Sequence, residues 1–209
     1  MYTPTYFKTG DDQAIKDFIR QNGFGILVSA ANGKSLATHI PLELSEDGTK
    51  LYAHISKGNP QGKDLQQVNE VLVIFNGPHA YISSSWYNHL NVPTWNYIAV
   101  HVYGIVRIVE GEELFTSLAQ LMNKYEQHSA DPVTVENLTP AYIQQAMKGV
   151  TGFEITITKI EATHKLSQNR DHESYTNIIH ELDNRSDADS TAIADAMRKN
   201  QSTLFKDQL

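Results

Sequence analysis

The sequence predicts a mostly β fold with helices, of the α+β kind, built on a closed or nearly closed antiparallel barrel. Three observations carry the prediction. Six or more apolar segments of strand length recur along the chain. Most of them are joined by short turn signals, of which Asn32-Gly33 is the strongest. Helical patterns stand between the strands and after the last one, as they do when helices cover part of an antiparallel sheet.

The first helix is expected over Asp11–Asn22, where Ile15, Phe18 and Ile19 recur at helical spacing behind an acidic start. Gly23 ends it. Phe24–Ala30 reads as a buried strand, joined through Asn32-Gly33 to Leu36–Leu44. The Glu46-Asp47-Gly48 turn leads into Lys50–Ser56, where Leu51, Ala53 and Ile55 alternate with Tyr52 and His54. Gly58-Asn59-Pro60 breaks the pattern, and a polar stretch with Leu65 and Val68 precedes the apolar strand Val71–Phe75. Ala80–Ser83 reads as a short further strand. Tyr97–Val109 is the longest extended segment, and Gly104 in its middle predicts a bulge or a bend at a barrel corner. Glu112–His128 is amphipathic, with Leu114, Leu118, Leu121 and Tyr125 on one stripe. Pro140–Lys148 is a short helix. Phe153–Ala162 alternates Phe153, Ile155, Ile157 and Ile160 with polar residues and is the final strand. Beyond Arg170 the chain turns polar and helical, around Tyr175–Leu182 and Thr191–Lys199, and Gln201–Leu209 is expected to be loose.

The 209 residues fit one domain with appended helices or two small, joined lobes, and 40% hydrophobic content is enough for a core without staples. There is no cysteine, which excludes disulfides, thiolate catalysis and zinc–thiolate sites. The longest apolar runs are far shorter than the roughly 20 residues a membrane helix needs. The start, Met1-Tyr2-Thr3-Pro4, carries neither a basic patch nor an apolar stretch, so a cytoplasmic location is the expectation. The formal net charge is −7 with histidines neutral, and no run of Lys and Arg exceeds two. Gripping nucleic-acid phosphates needs a local cationic excess, so a small-molecule partner is favoured over DNA.

Two segments concentrate aromatic and hydrogen-bonding side chains. They are Gly77–Tyr87, with Ser83, Ser84, Ser85, Trp86 and Tyr87, and Val92–Tyr97, with Trp95 and Asn96. Both tryptophans and three tyrosines fall within 17 residues. A flat conjugated ring needs apolar faces to stack on and a few fixed polar groups at its edge. An aromatic plug at a barrel mouth or a subunit interface has the same composition. His54-Ile55-Ser56-Lys57-Gly58-Asn59-Pro60 ends a strand in a cationic, hydroxyl-bearing turn suited to a phosphate, although solvated loops look the same. Neither a Walker loop nor a Gly-x-Gly-x-x-Gly run is present. Lys165–Arg170 offers two cations among five polar side chains. The histidines, His39, His54, His79 and His101 among them, lack metal-ligand spacing, so no metal site is expected. No Gly-x-Ser-x-Gly elbow supports hydrolysis.

Met1-Tyr2-Thr3-Pro4-x-Tyr6-Phe7, Thr38-His39-Ile40-Pro41-Leu42, the Gly77–Tyr87 run, Val92–Gly104 and Lys165–Arg170 resemble the signature stretches of the PaiB-like family. The resemblance runs in order from Met1 to about Met197. Members of that family are described as FMN-binding negative transcriptional regulators, concerned in some bacteria with sporulation and degradative-enzyme genes. The resemblance implies an FMN-binding split β-barrel with peripheral and C-terminal helices, related to pyridoxamine phosphate oxidases. It implies a single domain over residues 1–209, of which 171–209 are a C-terminal helical extension, and a twofold homodimer with FMN in the cleft between subunits. Residue by residue, Ser56 and Lys57, with His54 before them and Asn59 shaping the turn, would meet the FMN phosphate. Thr38, His39 and Pro41 would lie near the ring or the ribityl chain. Ser83, Ser84, Trp86 and Tyr87 would line the cleft, Trp95 and Asn96 would close it, and Lys165, Ser167, Gln168 and Arg170 would add polar contacts. Gly62 and His164 stand where a bulky apolar residue is expected, which would weaken the grip on flavin.

Three functions follow. The first is a flavin-binding regulator in which FMN alters an assembly or a partner surface; DNA enters through the family description and is not supported by the charge. The second is an FMN-dependent oxidoreductase of the flavin or nitro-group reductase type, with the flavin doing the chemistry. The third is a haem-binding split-barrel protein, since one histidine suffices to ligate haem iron. No catalytic residue is assigned.

Overall fold

The structure is a computed structural model that describes residues 1–68 and 70–206. The described elements are α1 (Asp12–Gln21), β1 (Phe24–Ala31), β2 (Lys34–Leu44), β3 (Lys50–Ser56), α2 (Gln61–Asp64), β4 (Glu70–Ile82), β5 (Thr94–Val109), α3 (Gly111–Glu126), α4 (Pro140–Lys148), β6 (Val150–Lys165), α5 (His172–Asp183) and α6 (Ala188–Leu204). The strands close into a barrel in the order β1-β2-β3-β6-β5-β4. The expected mixed α+β split barrel is therefore the fold of this chain. None of the described helices is long and apolar enough to cross a membrane.

The chain divides into two compact units. The barrel unit comprises Lys16–Phe75 and His101–Ile160. Asn32 and Gly33 both take positive φ (52° and 76°), the conformation of a tight hairpin turn whose twist matches its strands. That turn sets the β1–β2 register, pairing Ile26 with His39 and Val28 with Ala37. The β3 alternation then does what period two requires: Leu51, Ala53 and Ile55 are buried. They meet Leu44 and Leu42 across β2, and Ile155 and Phe153 across β6. Gly104 has a specific cause. A Cβ there would lie 2.5 Å from both Ile155 Cγ2 and the Thr156 carbonyl oxygen, so β6 approaches too closely for any side chain.

The second unit comprises Met1–Ile15, Asn76–Val100 and the chain from Glu161 onward. Its core joins Ala80, Ile82, Tyr87 and Leu166 to Tyr175, Ile178, Ile179 and Leu182 of α5 and Ile193, Ala194 and Met197 of α6. Both helices start with an aspartate cap: Asp171 accepts from the Ser174 N–H and Asp187 from the Ser190 N–H. Tyr175 donates its hydroxyl to the Met197 carbonyl at 2.9 Å. Phe205 packs edge-on against His172 and Tyr175, so the segment expected to be loose is anchored there; residues 207–209 lie outside the described residues.

Three elements differ from expectation. Val71–Phe75 and Ala80–Ser83 are one strand, β4, because Gly77 takes no positive φ and the fixed φ of Pro78 suits extended backbone. The polar stretch after Pro60 contains the short helix α2. Tyr125, placed on the apolar stripe of α3, is 53% exposed.

Candidate functional site

In the barrel unit, the candidate residues converge on the turn that follows β3. The Asn59 N–H donates to the Ser56 carbonyl at 2.9 Å and closes the turn, while the Lys57 N–H donates to the Gly149 carbonyl at 2.9 Å. The Ser56 hydroxyl accepts from the Gly58 N–H at 3.3 Å. The Ser56 and Lys57 side chains are exposed, and among the described residues no carboxylate pairs with the Lys57 ammonium. Lys57 borders a cleft of about 300 Å³ together with Lys148, Gln66 and Gly111. This gives an exposed cation beside backbone turns, the chemistry a phosphate requires.

Four other candidates in this unit, Thr38, His39, Pro41 and His54, lie on β2 and β3. Thr38 donates its hydroxyl to Gln61 Oε1 at 2.5 Å and accepts from Asn59 Nδ2 at 3.0 Å. His39 is exposed and stacks on Phe24, with ring centroids 6.2 Å apart. Pro41 lies opposite Phe24 on the neighbouring strand. His54 is partly buried on β3, and that burial pushes its imidazole below the ordinary range, so it is neutral near pH 7.

The second unit assembles the aromatic candidates. Ser83 caps a short 3₁₀ turn over Ser84–Trp86, its hydroxyl accepting from the Ser85 N–H. Arg185 holds its guanidinium 4.6 Å from the Trp86 ring and donates to the Tyr81 carbonyl at 3.0 Å. Trp95 is 53% exposed and meets Tyr81 and His79 with centroids 5.9 and 6.0 Å away. Tyr87 is 8% exposed, and its hydroxyl has no partner among the described residues. The Arg170 guanidinium lies 4.8 Å from the Tyr87 ring, with its Nε also unpartnered. Lys165 donates to the Thr94 hydroxyl. Burial, and then the positive charge of Arg170, lower the Lys165 pKa. Neither cation forms an ion pair among the described residues.

Asn96, Ser167 and Gln168 have structural partners instead. Fully buried Asn96 accepts from the Ser167 hydroxyl at 3.0 Å and directs its amide at Met197 Sδ. Ser167 takes the left-handed φ of 61°. Gln168 bonds the His164 carbonyl and the Leu166 N–H, bracing its own turn. His164 borders a cleft of about 310 Å³ with Lys8 and Asn200.

In the barrel unit the Lys57 turn has the chemistry to meet a phosphate, and in the second unit the half-exposed Trp95 has the chemistry to meet a flat ring. Sequence reasoning missed Gln61 and Arg185. Gln61 sat in what read as a polar loop, and Arg185 sits in the α5–α6 connection, far from the aromatic run in sequence. A wider cleft of about 680 Å³, bordered by Arg20, Glu43, Tyr52 and Lys124, contains none of the candidate residues.

Residues 1–159 match the family model described as "Putative FMN-binding domain". The chain is 42% identical over 199 residues to "Protease synthase and sporulation protein PAI 2" of Bacillus subtilis (strain 168), covering 94% of this chain and 96% of that one. Its fold is similar to the flavocytochrome Anf3 from Azotobacter vinelandii, with a TM-score of 0.61 at 15% identity over 78% of this chain and 72% of the other. It is also similar to the FAD and heme binding protein from Mycobacterium smegmatis, with a TM-score of 0.57 at 12% identity over 76% and 73% of the two chains.

Proposed function

This chain belongs to the FMN-binding family whose model spans its first 159 residues, with FMN as its cofactor, and from that premise we propose that it is a PaiB-like regulator acting as a flavin-loaded homodimer. The 42% identity to a protease-synthesis and sporulation protein over nearly the whole of both chains supports that role. The observation that carries the site is that the exposed Lys57 ammonium, on the turn after β3, has no carboxylate partner among the described residues.

In this reading Lys57 supplies the point charge for the FMN phosphate, and Ser56 and Gly58 hold the turn in shape. The second unit, taken by itself, carries the half-exposed Trp95, whose face suits a flat ring, and the cations Lys165 and Arg170. Arg185 fixes the plane of Trp86. Bound FMN supplies reversible electron acceptance. Thr38, Asn59, Asn96, Ser167 and Gln168 act by holding these groups in place. Regulation then runs through a flavin-dependent partner surface and not through a direct grip on DNA, as the scattered basic residues and acidic balance suggest.

The test is an FMN titration by absorbance and fluorescence with the parent protein and a Lys57→Ala variant. The parent binds tightly, and the variant loses about tenfold or more in affinity. A variant that binds as well as the parent removes Lys57 from the site. Steady NAD(P)H consumption by the FMN-loaded protein would replace the regulator with an oxidoreductase. A salt-sensitive gel shift with DNA would overturn the indirect mode of regulation.

A further inference from the structure

We propose that Gln61 is a positioning residue for phosphate recognition, holding the Ser56-Lys57-Gly58 turn in its binding shape through Thr38 and Asn59 without touching the ligand. The inference rests on the reading that this turn meets the FMN phosphate.

Gln61 opens a helix of only four residues and is fully buried. One turn of helix has no stability of its own in water, so something else holds this segment. A buried amide must also be satisfied, and this one is. Its Oε1 accepts from the Thr38 hydroxyl at 2.5 Å. Its Nε2 donates toward the Leu27 carbonyl at 3.1 Å, the Ser29 hydroxyl at 3.1 Å and the Leu36 carbonyl at 3.2 Å. Three acceptors thus share two N–H groups, and one side chain ties α2 to both strands of the first hairpin.

The same network continues into the turn. Asn59 Nδ2 donates to Thr38 Oγ1 at 3.0 Å, and Asn59 Oδ1 accepts from the Gln61 N–H at 2.9 Å. Thr38, Gln61 and Asn59 therefore form a closed ring. Asn59 leaves that ring through its own N–H, which closes the turn on the Ser56 carbonyl. Lys57 and Gly58 lie between these two anchors. An apolar side chain would fill the Gln61 position equally well by volume. What the amide adds is direction: each of its bonds fixes the turn against a strand wall. Shape of this kind, set before the ligand arrives, lowers the ordering cost of binding.

The experiment compares FMN with riboflavin, which has the same ring and chain but no phosphate, by fluorescence titration. The proteins are the parent, Gln61→Leu, Thr38→Val, the double variant and Lys57→Ala. Gln61→Leu is expected to lose about tenfold in FMN affinity while its riboflavin affinity moves by less than about twofold. Thr38→Val, which keeps the shape and breaks the ring, reproduces the shift and serves if Gln61→Leu does not fold. The double variant loses no more than the larger single loss, because both act through one ring. Equal losses for FMN and riboflavin, or an unchanged FMN affinity in the folded variants, overturn the inference. If Lys57→Ala leaves the FMN-to-riboflavin preference intact, the phosphate reading itself fails. If Lys57→Ala abolishes that preference and Gln61→Leu does not, only the role of Gln61 falls.

Discussion

Glu154 lies on β6 with 6% of its side chain exposed, and it accepts from Lys50 Nζ at 3.1 and 3.2 Å and from Arg107 Nε at 3.1 Å. Arg107 reaches on to Glu113 at 2.8 and 3.0 Å. Arg107 is the main cause holding the carboxyls of Glu154 and Glu113 below their ordinary value of 4.5. On the same unit, the Ser45 and Thr49 bonds pull Asp47 down to about 2. Folded values below unfolded ones mean that the native state binds fewer protons. The stabilisation is therefore complete above the ordinary carboxylate values and drains away as pH falls through the folded ones. Thermal midpoints measured at descending pH should drop from about pH 4.5 toward pH 2. Glu154→Gln should flatten some of that slope and lower the thermal midpoint at neutral pH, because the partly exposed Lys50 and Arg107 lose the carboxylate they share. A variant with the parent's acid profile would show that this network does not couple folding to protons. In the sequence Glu154 was one polar position in an alternating strand, and Gln61 one residue of a polar loop. Neither burial nor partner is written locally, since Lys50, Arg107 and Glu154 meet only when β3, β5 and β6 have closed.

At the scale of elements, local chemistry was legible wherever it was sufficient. The Asn32-Gly33 hairpin, the strand over Lys50–Ser56 and the helix over Pro140–Lys148 stand where turn residues, period-two alternation and a Thr139 cap with proline at the first helical position put them. Local chemistry failed between Val71–Phe75 and Ala80–Ser83, which read as two strands and are one, running through Gly77-Pro78. Gly104 is an intermediate case. The sequence marked it as special, and the structure supplies the reason, which is the approach of β6 to within 2.5 Å of where a Cβ would stand. Because the obstructing atoms include backbone, Gly104→Ala must push β5 and β6 away from each other and should cost about 1–3 kcal/mol, read as a lower urea midpoint with unchanged slope. An alanine variant as stable as the parent would mean that β5 and β6 can separate there without loss.

At the scale of the whole molecule, the proposed homodimer makes the clearest prediction. Leu90 is fully exposed, Val92 is 70% exposed and Trp95 53%, a run of large apolar side chains on one short segment of the second unit. Such a patch is the signature of a surface that a partner covers. Light scattering should give a mass of twice the 23.5 kDa chain, and Val92→Glu should shift it toward the monomer. A monomeric parent at micromolar concentration would overturn the dimer. The sequence by itself determined most of the strands and helices, the barrel class, the flavin family and the residue types able to hold a phosphate and a ring. These follow from short-range periodicity, turn chemistry and long uninterrupted motifs, all of which are local in the chain. Only the tertiary structure decided which of those residues have groups left for a ligand. Among the described residues Lys57, Tyr87 and Arg170 keep a polar atom without a partner, whereas Thr38, Asn59, Asn96, Lys165 and Gln168 are bonded to the protein. The physical reason is that a polar side chain's work depends on which partners folding brings within about 3 Å of it. Those partners arrive from other strands and helices that no local pattern names.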